Sequence, residues 1–298
     1  MEEFIIKIAP VVIIFFLGFA CKQWRLFTHD DGDLLLKIVF NVTLPAMVFR
    51  AVTQVELSWQ FVWLPFIAMF VVMAVYAASL LVARHIPMSR PTRGVFLVGS
   101  MIMNTGAILP FIIAKYGSYG LAVYTIFDFG NVLLIFTFVY YVAMKHGENA
   151  TARINWKKFL RLPPIYGLLA GLLVKALNLS IPAIGQSILE GIGTPTVFLV
   201  MFALGLYFHP RMQNAGRMAV VFALRMGLGL ALGTAITTLL HLDGSLRTLV
   251  IVCSGAPVGY NTVVFASMEK LDKDFAASLV SISLFMGMIY VPLLMFIL

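Results

Sequence analysis

The sequence predicts an all-α membrane protein that crosses the lipid bilayer many times. Of its 298 residues, 61% are hydrophobic and only 11% are charged, and the mean hydropathy is +0.98. Soluble domains carry about 25% charged residues, so this composition excludes a soluble enzyme, a disordered chain and a secreted disulfide scaffold. The hydrophobic runs are continuous rather than alternating, which favours membrane-spanning helices over a β-barrel.

Uncharged runs of about 20 residues, the length that crosses a bilayer, recur along the whole chain. They predict ten transmembrane helices, which we call spans 1 to 10. In chain order, these spans lie at residues 4–21, 34–53, 61–83, 94–115, 119–143, 164–177, 187–208, 218–240, 246–268 and 275–297. The remaining connections are too short to hold a large domain outside the membrane.

Basic residues predict the orientation of the spans. Fourteen of the 21 lysine and arginine residues fall in the loops on one side of the predicted bilayer, and the side rich in these residues is the cytoplasmic one. Because the number of spans is even, both termini are then expected outside, in a multi-pass protein of the plasma membrane. The net charge of +8 is explained by the basic loops that set this orientation, so no nucleic-acid partner is expected.

Ten spans with both ends outside divide into two halves of five. The expected boundaries are residues 1–143 for the first half, 144–163 for a cytoplasmic linker and 164–298 for the second half. An odd number of spans in each half gives the halves opposite orientations in the membrane. This arrangement is typical of transporters built from inverted repeats.

Spans 4 and 9 each combine proline, glycine and asparagine near the middle of the bilayer. Proline removes a helical hydrogen bond and glycine loosens the backbone, and in lipid such irregular backbone is tolerated only against protein or a wet cavity. The pattern predicts two broken helices whose new N-termini attract an anionic group. The alternative is a pair of ordinary proline kinks, with asparagines that join neighbouring helices by hydrogen bonds.

Two charged residues lie inside predicted spans. Asp128, in span 5, is costly to bury in lipid and is interpreted as a protonation or cation-coupling site; the alternative is a structural acid capped by Asn131. Arg225, about 10 Å inside span 8 by helical rise, is predicted to extend its side chain to the cytoplasmic surface. Its alternative is to lend positive charge to an anion path.

The sequence offers no pattern for catalysis, a metal or a cofactor. The five histidines lie at span ends or in loops, and the two cysteines are far apart. No nucleotide-binding loop is present, so transport driven directly by ATP is not predicted for this chain. A transporter is therefore favoured over an enzyme, and a channel or receptor is the other class left for a flux assay to separate.

Four short motifs, in this order and placement, resemble the auxin efflux carrier family in its bacterial branch. They are Asn41-x-x-Leu44-Pro45-Ala46 in span 2, Asn104-Thr105-Gly106 with Pro110 in span 4, Phe127-Asp128-x-x-Asn131 in span 5, and Ala256-Pro257 with Asn261 and Phe265-Ala266 in span 9. The resemblance covers nearly the whole chain. It implies secondary transport of a small organic anion, either auxin-like or a dicarboxylate such as malonate or malate.

The resemblance also implies an architecture and a site. Two inverted five-helix repeats would place the broken helices 4 and 9 across each other at the substrate site. Helices 1, 2, 6 and 7 would form a scaffold that dimerises, and helices 3–5 and 8–10 a transport part that moves by alternating access. The runner-up is a sodium-coupled organic anion symporter of the bile-acid symporter type.

Candidate site residues follow from the motifs and the charges. The predicted substrate-binding residues are Asn41, Asn104, Thr105, Gly106, Pro110, Pro257, Tyr260 and Asn261. The predicted ion-coupling residues are Asp128 and Asn131. The expected partners are the organic anion, a proton or sodium ion, the lipid bilayer and a second copy of the chain.

Overall fold

The computed structural model describes residues 2–56, 58–147, 163–208 and 214–298, which form helices joined by short turns. The prediction of an all-α protein is confirmed for this part of the chain, where the β-structure is limited to one bridged pair of residues. Most of the predicted linker at 144–163 lies outside the described residues.

Fifteen α-helices make up the described ranges. They are α1 Glu2–Gln23, α2 His29–Ile38, α3 Leu44–Gln54, α4 Leu64–Ala83, α5 Arg90–Met101, α6 Thr105–Leu134, α7 Tyr140–His146, α8 Pro163–Ala176, α9 Ala183–Gly193, α10 Thr196–Tyr207, α11 Ala215–Phe222, α12 Gly229–Leu239, α13 Gly244–Ser254, α14 Asn261–Met268 and α15 Lys273–Ile297. A short 3₁₀ turn, Trp59–Trp63, precedes α4.

Three wider, π-helical turns connect consecutive α-helices within one span. They are Val39–Thr43 between α2 and α3, Ile135–Val139 between α6 and α7, and Ala223–Leu228 between α11 and α12. Such turns often occur at functional positions. The first contains Asn41 and the third contains Arg225.

Seven segments of the described residues are long and apolar enough to cross a membrane. Six of them closely follow predicted spans 1, 2, 3, 7, 8 and 10. They are Ile5–Gln23, Asp30–Gln54, Trp59–Ala83, Ala183–Tyr207, Ala215–Leu239 and Lys273–Ile297. The seventh, Thr105–His146, is 42 residues long and covers part of span 4 and all of span 5, with a change of direction at Gly117, whose φ is +56°.

The other predicted spans are not continuous membrane-length helices. Span 6 contains the short helix α8, and spans 4 and 9 are each divided into two helical pieces. The division of span 9 includes Pro257 and its neighbouring glycines, as the residue types lead us to expect, whereas that of span 4 ends at Asn104, ahead of Gly106 and Pro110. The count of ten membrane-crossing helices and the inverted relation of the two halves stay predictions.

One of two compact units consists of Met1–Phe61, Gly106–Ile126 and Leu160–Phe208. Within it, α1 and α10 pack with their backbones in close contact. A Cβ atom on Gly18 would lie 2.2 Å from the carbonyl oxygen of Phe202, and one on Gly205 would lie 2.2 Å from that of Phe15. Only glycine fits at these crossings, which is the usual way that helices approach closely in lipid.

The second unit consists of Val62–Thr105, Phe127–Phe159 and His209–Leu298. Helix α5 lies at its centre, since every residue from Gly94 to Met101 is buried. Helix α6 also packs closely on α4 here, because a Cβ atom on Gly130 would lie 2.1 Å from the carbonyl oxygen of Pro65. The central position of α5 places the residues that follow Met101 inside this unit.

Candidate solute-binding site

Two helix interruptions lie within the second unit. The first interruption, residues 102–104, separates α5 from α6, and the second interruption, residues 255–260, separates α13 from α14. Pro257 lies in the second interruption itself. Pro110 lies instead in the second turn of α6, so the first interruption precedes it.

The two interruptions run antiparallel and are bonded to each other through their backbones. Met103 and Val258 form the antiparallel bridge. The backbone N–H of Asn104 donates to the Pro257 carbonyl at 2.8 Å, and that of Gly259 donates to the Ile102 carbonyl at 3.0 Å. Each interruption thus satisfies backbone groups that the other leaves without a helical partner.

The side chain of Asn104 reinforces this pairing. It is buried, and its Nδ2 donates to the Val258 carbonyl at 3.2 Å. From the other side, the hydroxyl of Ser283 in α15 accepts a hydrogen bond from the Val258 N–H at 3.1 Å. Asn104 is therefore part of the structure of the crossing.

A carboxylate lies directly beside the first interruption. Asp128 Oδ1 accepts a hydrogen bond from the Thr105 hydroxyl and another from Asn131 Nδ2, each at 2.8 Å. Asn131 Nδ2 also lies 3.4 Å from the Met103 carbonyl. The predicted coupling pair, Asp128 and Asn131, is thereby held against the residues that connect α5 to α6.

Arg225 connects the ends of the helices that precede the interruptions. Its side chain has no exposed surface. Nη1 donates to the Met101 carbonyl at 3.1 Å and lies 3.4 Å from the Ser100 carbonyl, and Nη2 donates to the Ser254 carbonyl. These carbonyls end α5 and α13, where a helix leaves its acceptors unpaired and carries partial negative charge.

The predicted extension of Arg225 to the membrane surface is therefore wrong. The competing force is the set of orphan carbonyls at two buried helix ends, which bind the guanidinium within the protein. A charged residue inside an apolar span was the available signal, but the sequence does not show where a partner for it lies. The π-helical turn that carries Arg225 was likewise not predicted.

Unpaired polar atoms concentrate around the interruptions. In the described ranges, six buried side-chain nitrogen or oxygen atoms have no hydrogen-bond partner. Four of them belong to residues at or next to the two interruptions: Asn131 Oδ1, Arg225 Nε, Ser254 Oγ and Thr262 Oγ1. Buried polar atoms normally find partners, so this cluster fits a place where a polar solute binds.

The remaining predicted residues occupy different positions. Tyr260 and Asn261 are half-buried at the beginning of α14, in the second unit. Gly106 and Pro110 lie in the first two turns of α6 and belong to the first unit, as does Asn41. Asn41 is exposed, and its Nδ2 donates to the Lys37 carbonyl at 2.7 Å.

The described residues contain no cluster of three or more histidine, cysteine, aspartate or glutamate side chains that could hold a metal ion.

Comparison with known protein families shows which family the chain belongs to. A family model described as "Membrane transport protein" matches residues 3–295. The chain belongs to this family. The resemblance to auxin efflux carriers is thereby confirmed, and this membrane transport protein family indicates a multi-pass transporter rather than an enzyme.

Two archaeal relatives agree with the family assignment. An uncharacterized transporter of Methanocaldococcus jannaschii is 25% identical over 294 residues, which cover 95% of this chain and 95% of the relative. An uncharacterized transporter of Methanothermobacter thermautotrophicus is 23% identical over 291 residues, which cover 96% and 95% of the two chains. Both similarities run almost from end to end, as expected for members of one membrane transport protein family.

Proposed function

We propose that this protein is a secondary transporter that carries a small organic anion across the plasma membrane by alternating access. The solute binds where the first and second interruptions cross. The observation that carries this proposal is the antiparallel pairing of residues 102–104 with residues 255–260, surrounded by buried polar atoms without partners. A purely structural kink has no need of such atoms.

The local electrostatics favour an anion. Helices α6 and α14 begin at the two interruptions, and the positive end of a helix dipole attracts negative charge. Arg225 adds a full positive charge behind the crossing. A carboxylate would therefore be stabilised without a lysine in the site.

Asp128 supplies the proposed coupling. When it is ionised, its negative charge repels an anion bound next to Thr105, and protonation removes that repulsion. Binding of the anion and of a proton would then favour each other, so that the two move together.

A sodium-coupled symporter is the second candidate. Asp128 and the unpaired Oδ1 of Asn131 are oxygen ligands of the kind that hard cations prefer, and they lie beside an interrupted backbone. A sodium ion between them would replace the proton as the coupling ion.

The larger architecture belongs to the same proposal. We propose ten membrane-crossing helices in two inverted repeats, with a dimerising scaffold of helices 1, 2, 6 and 7 and a transport part of helices 3–5 and 8–10. Both termini would lie outside the cell. The basic loops and the odd number of spans in each half support this orientation.

Transport by purified protein in liposomes tests the function. Uptake of radiolabelled malonate or indole-3-acetate is expected to saturate with concentration and to be accelerated by unlabelled solute inside, because a carrier reorients with its solute bound. Replacing external sodium with potassium separates the two coupling ions. Linear uptake without counterflow for every carboxylate tested would overturn the carrier proposal.

The two asparagines at the interruptions are expected to respond differently to alanine. Asn104→Ala removes a buried hydrogen bond, so we expect a loss of about 1–3 kcal/mol in stability together with loss of transport. The Asn261 side chain makes no hydrogen bond within the described residues, so Asn261→Ala is expected to retain stability and to raise KM at least about tenfold.

Thermal unfolding in detergent and initial uptake rates measure these two effects. Gln186→Ala, at an exposed amide in α9, is the control for loss of an amide group. Wild-type KM in Asn261→Ala would remove Asn261 from the solute site.

A further inference from the structure

A cavity of about 520 Å³ lies in the second unit, away from the two interruptions. It is formed by the end of α7, the beginning of α5 and the turn before α5. Its lining residues are Met88, Arg90, Arg93, Tyr141, Met144, Lys145 and His146. Three of these side chains are cationic, and none is a carboxylate.

In the described part of the chain, the two arginines of the cavity are held by backbone carbonyls rather than by carboxylates. Within the described ranges, Arg90, Arg93 and Lys145 form no ion pair. Arg90 Nη2 donates to the Lys145 carbonyl at 2.7 Å, and Arg93 Nη2 donates to the Ala83 carbonyl at 2.6 Å. Backbone carbonyls orient the two guanidinium groups, and a carbonyl by itself does not compensate their net charge.

One donor in this cluster lacks a partner among the described residues. Arg93 Nε is buried and makes no hydrogen bond to a described residue. A buried donor of this kind normally binds a protein group, water or a ligand. Arginine presents paired N–H groups that match the oxygens of a phosphate, so this cluster has the donor chemistry of a phosphate site.

Part of the cavity lining is apolar. Met88, Met144 and the ring of Tyr141 form it, and Tyr141 is 46% exposed on a helix that belongs to a membrane-length apolar segment. The sequence also places the cationic residues of the cavity on the predicted cytoplasmic side. Cationic residues combined with apolar residues on a segment that is predicted to cross the membrane suit a charged headgroup joined to acyl chains.

We propose that this cavity binds a phosphate ester. The source that this mixed lining favours is the headgroup of an anionic phospholipid, and a soluble phosphate compound is the other source of the same chemistry. The site is separate from the crossing of the interruptions and does not depend on which solute the protein transports. Its volume lies within the range of about 300–1,000 Å³ that is usual for small-molecule sites.

Native mass spectrometry of the full-length protein in detergent tests the proposal. The probes are phosphatidylglycerol, phosphatidylcholine with the same acyl chains, and inorganic phosphate. Bound phosphatidylglycerol is expected to exceed bound phosphatidylcholine. In the triple variant Arg90→Gln/Arg93→Gln/Lys145→Gln, we expect phosphatidylglycerol affinity to fall at least about tenfold, with phosphatidylcholine binding unchanged.

A charge-matched variant controls for general attraction between a basic protein and an anionic lipid. Arg84→Gln/Arg247→Gln/Lys273→Gln also removes three cations, all of them exposed and outside the cavity lining, and is expected to bind phosphatidylglycerol like wild type. Because Arg93 also donates to Ala83, the double variant Arg90→Gln/Lys145→Gln is measured as well. It decides the question if the triple variant does not fold.

The three probes distinguish a lipid headgroup from a soluble phosphate compound, and they also show whether the proposal fails. Preference for phosphatidylglycerol that depends on the three cavity cations supports the lipid source. Binding of inorganic phosphate alone, with the same dependence, supports the phosphate site and assigns it to a soluble compound. Equal binding of both lipids, or equal loss in the cavity and control variants, overturns the proposal.

Discussion

Replacement of Asp128 with asparagine is expected to abolish the coupling of transport to the pH gradient. Asparagine is close in shape to a protonated aspartic acid. Its Oδ1 can still accept a hydrogen bond from the Thr105 hydroxyl, which lies 2.8 Å from Asp128 Oδ1. The variant therefore imitates one protonation state permanently. Stability is expected to be retained, since a charge is removed from a half-buried position and an amide oxygen can keep both hydrogen bonds.

The expected size of this effect follows from the loss of the co-transported proton. If one proton moves with one monovalent anion, each pH unit across the liposome membrane supports about a tenfold concentration ratio of solute. In Asp128→Asn this ratio is expected to fall to one, and initial uptake becomes independent of pH. Exchange of internal for external solute should continue, because it needs no net proton movement.

A matched acid separates coupling from a general effect of charge. Asp274 is exposed in the first turn of α15, and Asp274→Asn is expected to keep the wild-type pH profile and accumulation. The measurements are solute accumulation at several imposed pH gradients and counterflow at a single pH. An unchanged pH profile in Asp128→Asn would assign Asp128 a structural role, in which it only orders Thr105 and Asn131.

The parts of the fold that follow from hydrophobicity could be predicted from the sequence. A continuous apolar run such as 275–297 is stable in lipid as a helix, and the structure has a helix at Lys273–Ile297. Divided spans are less predictable. Proline and glycine mark where the fourth span weakens, but the first interruption lies at residues 102–104 rather than at Pro110, because the cross-bond to the second interruption fixes its position.

The candidate site could be predicted in its residue types but not in its connections. Asn104, Asp128 and Asn131 stand out because polar side chains are rare inside apolar runs. Their hydrogen-bond partners cannot be identified from the sequence, because a bond such as that from Asn104 to the Val258 carbonyl joins residues 154 positions apart. Arg225 illustrates the same limit. Its acceptors are backbone carbonyls, which every residue has, so the sequence does not identify them.

Replacement of Arg225 with methionine is expected to have the largest effect on stability. Methionine fills similar space but leaves the carbonyls of Met101 and Ser254 without a donor in a buried environment. Each unpaired buried acceptor costs about 1–3 kcal/mol, and the favourable charge at two helix ends is lost as well. We expect the free energy of unfolding to fall by about 3–5 kcal/mol, with transport abolished.

Arg225→Lys distinguishes the charge of Arg225 from its geometry. A lysine ammonium keeps the positive charge at the ends of α5 and α13 but lacks the planar fork that reaches carbonyls on two helices at once. We therefore expect Arg225→Lys to recover part of the lost melting temperature while transport stays well below wild type. Arg84→Met, at an exposed position after α4, is the control for removing an arginine. A wild-type melting temperature and transport rate in Arg225→Met would show that the two interruptions hold their positions without the guanidinium, and the crossing would then rest on its backbone bonds alone.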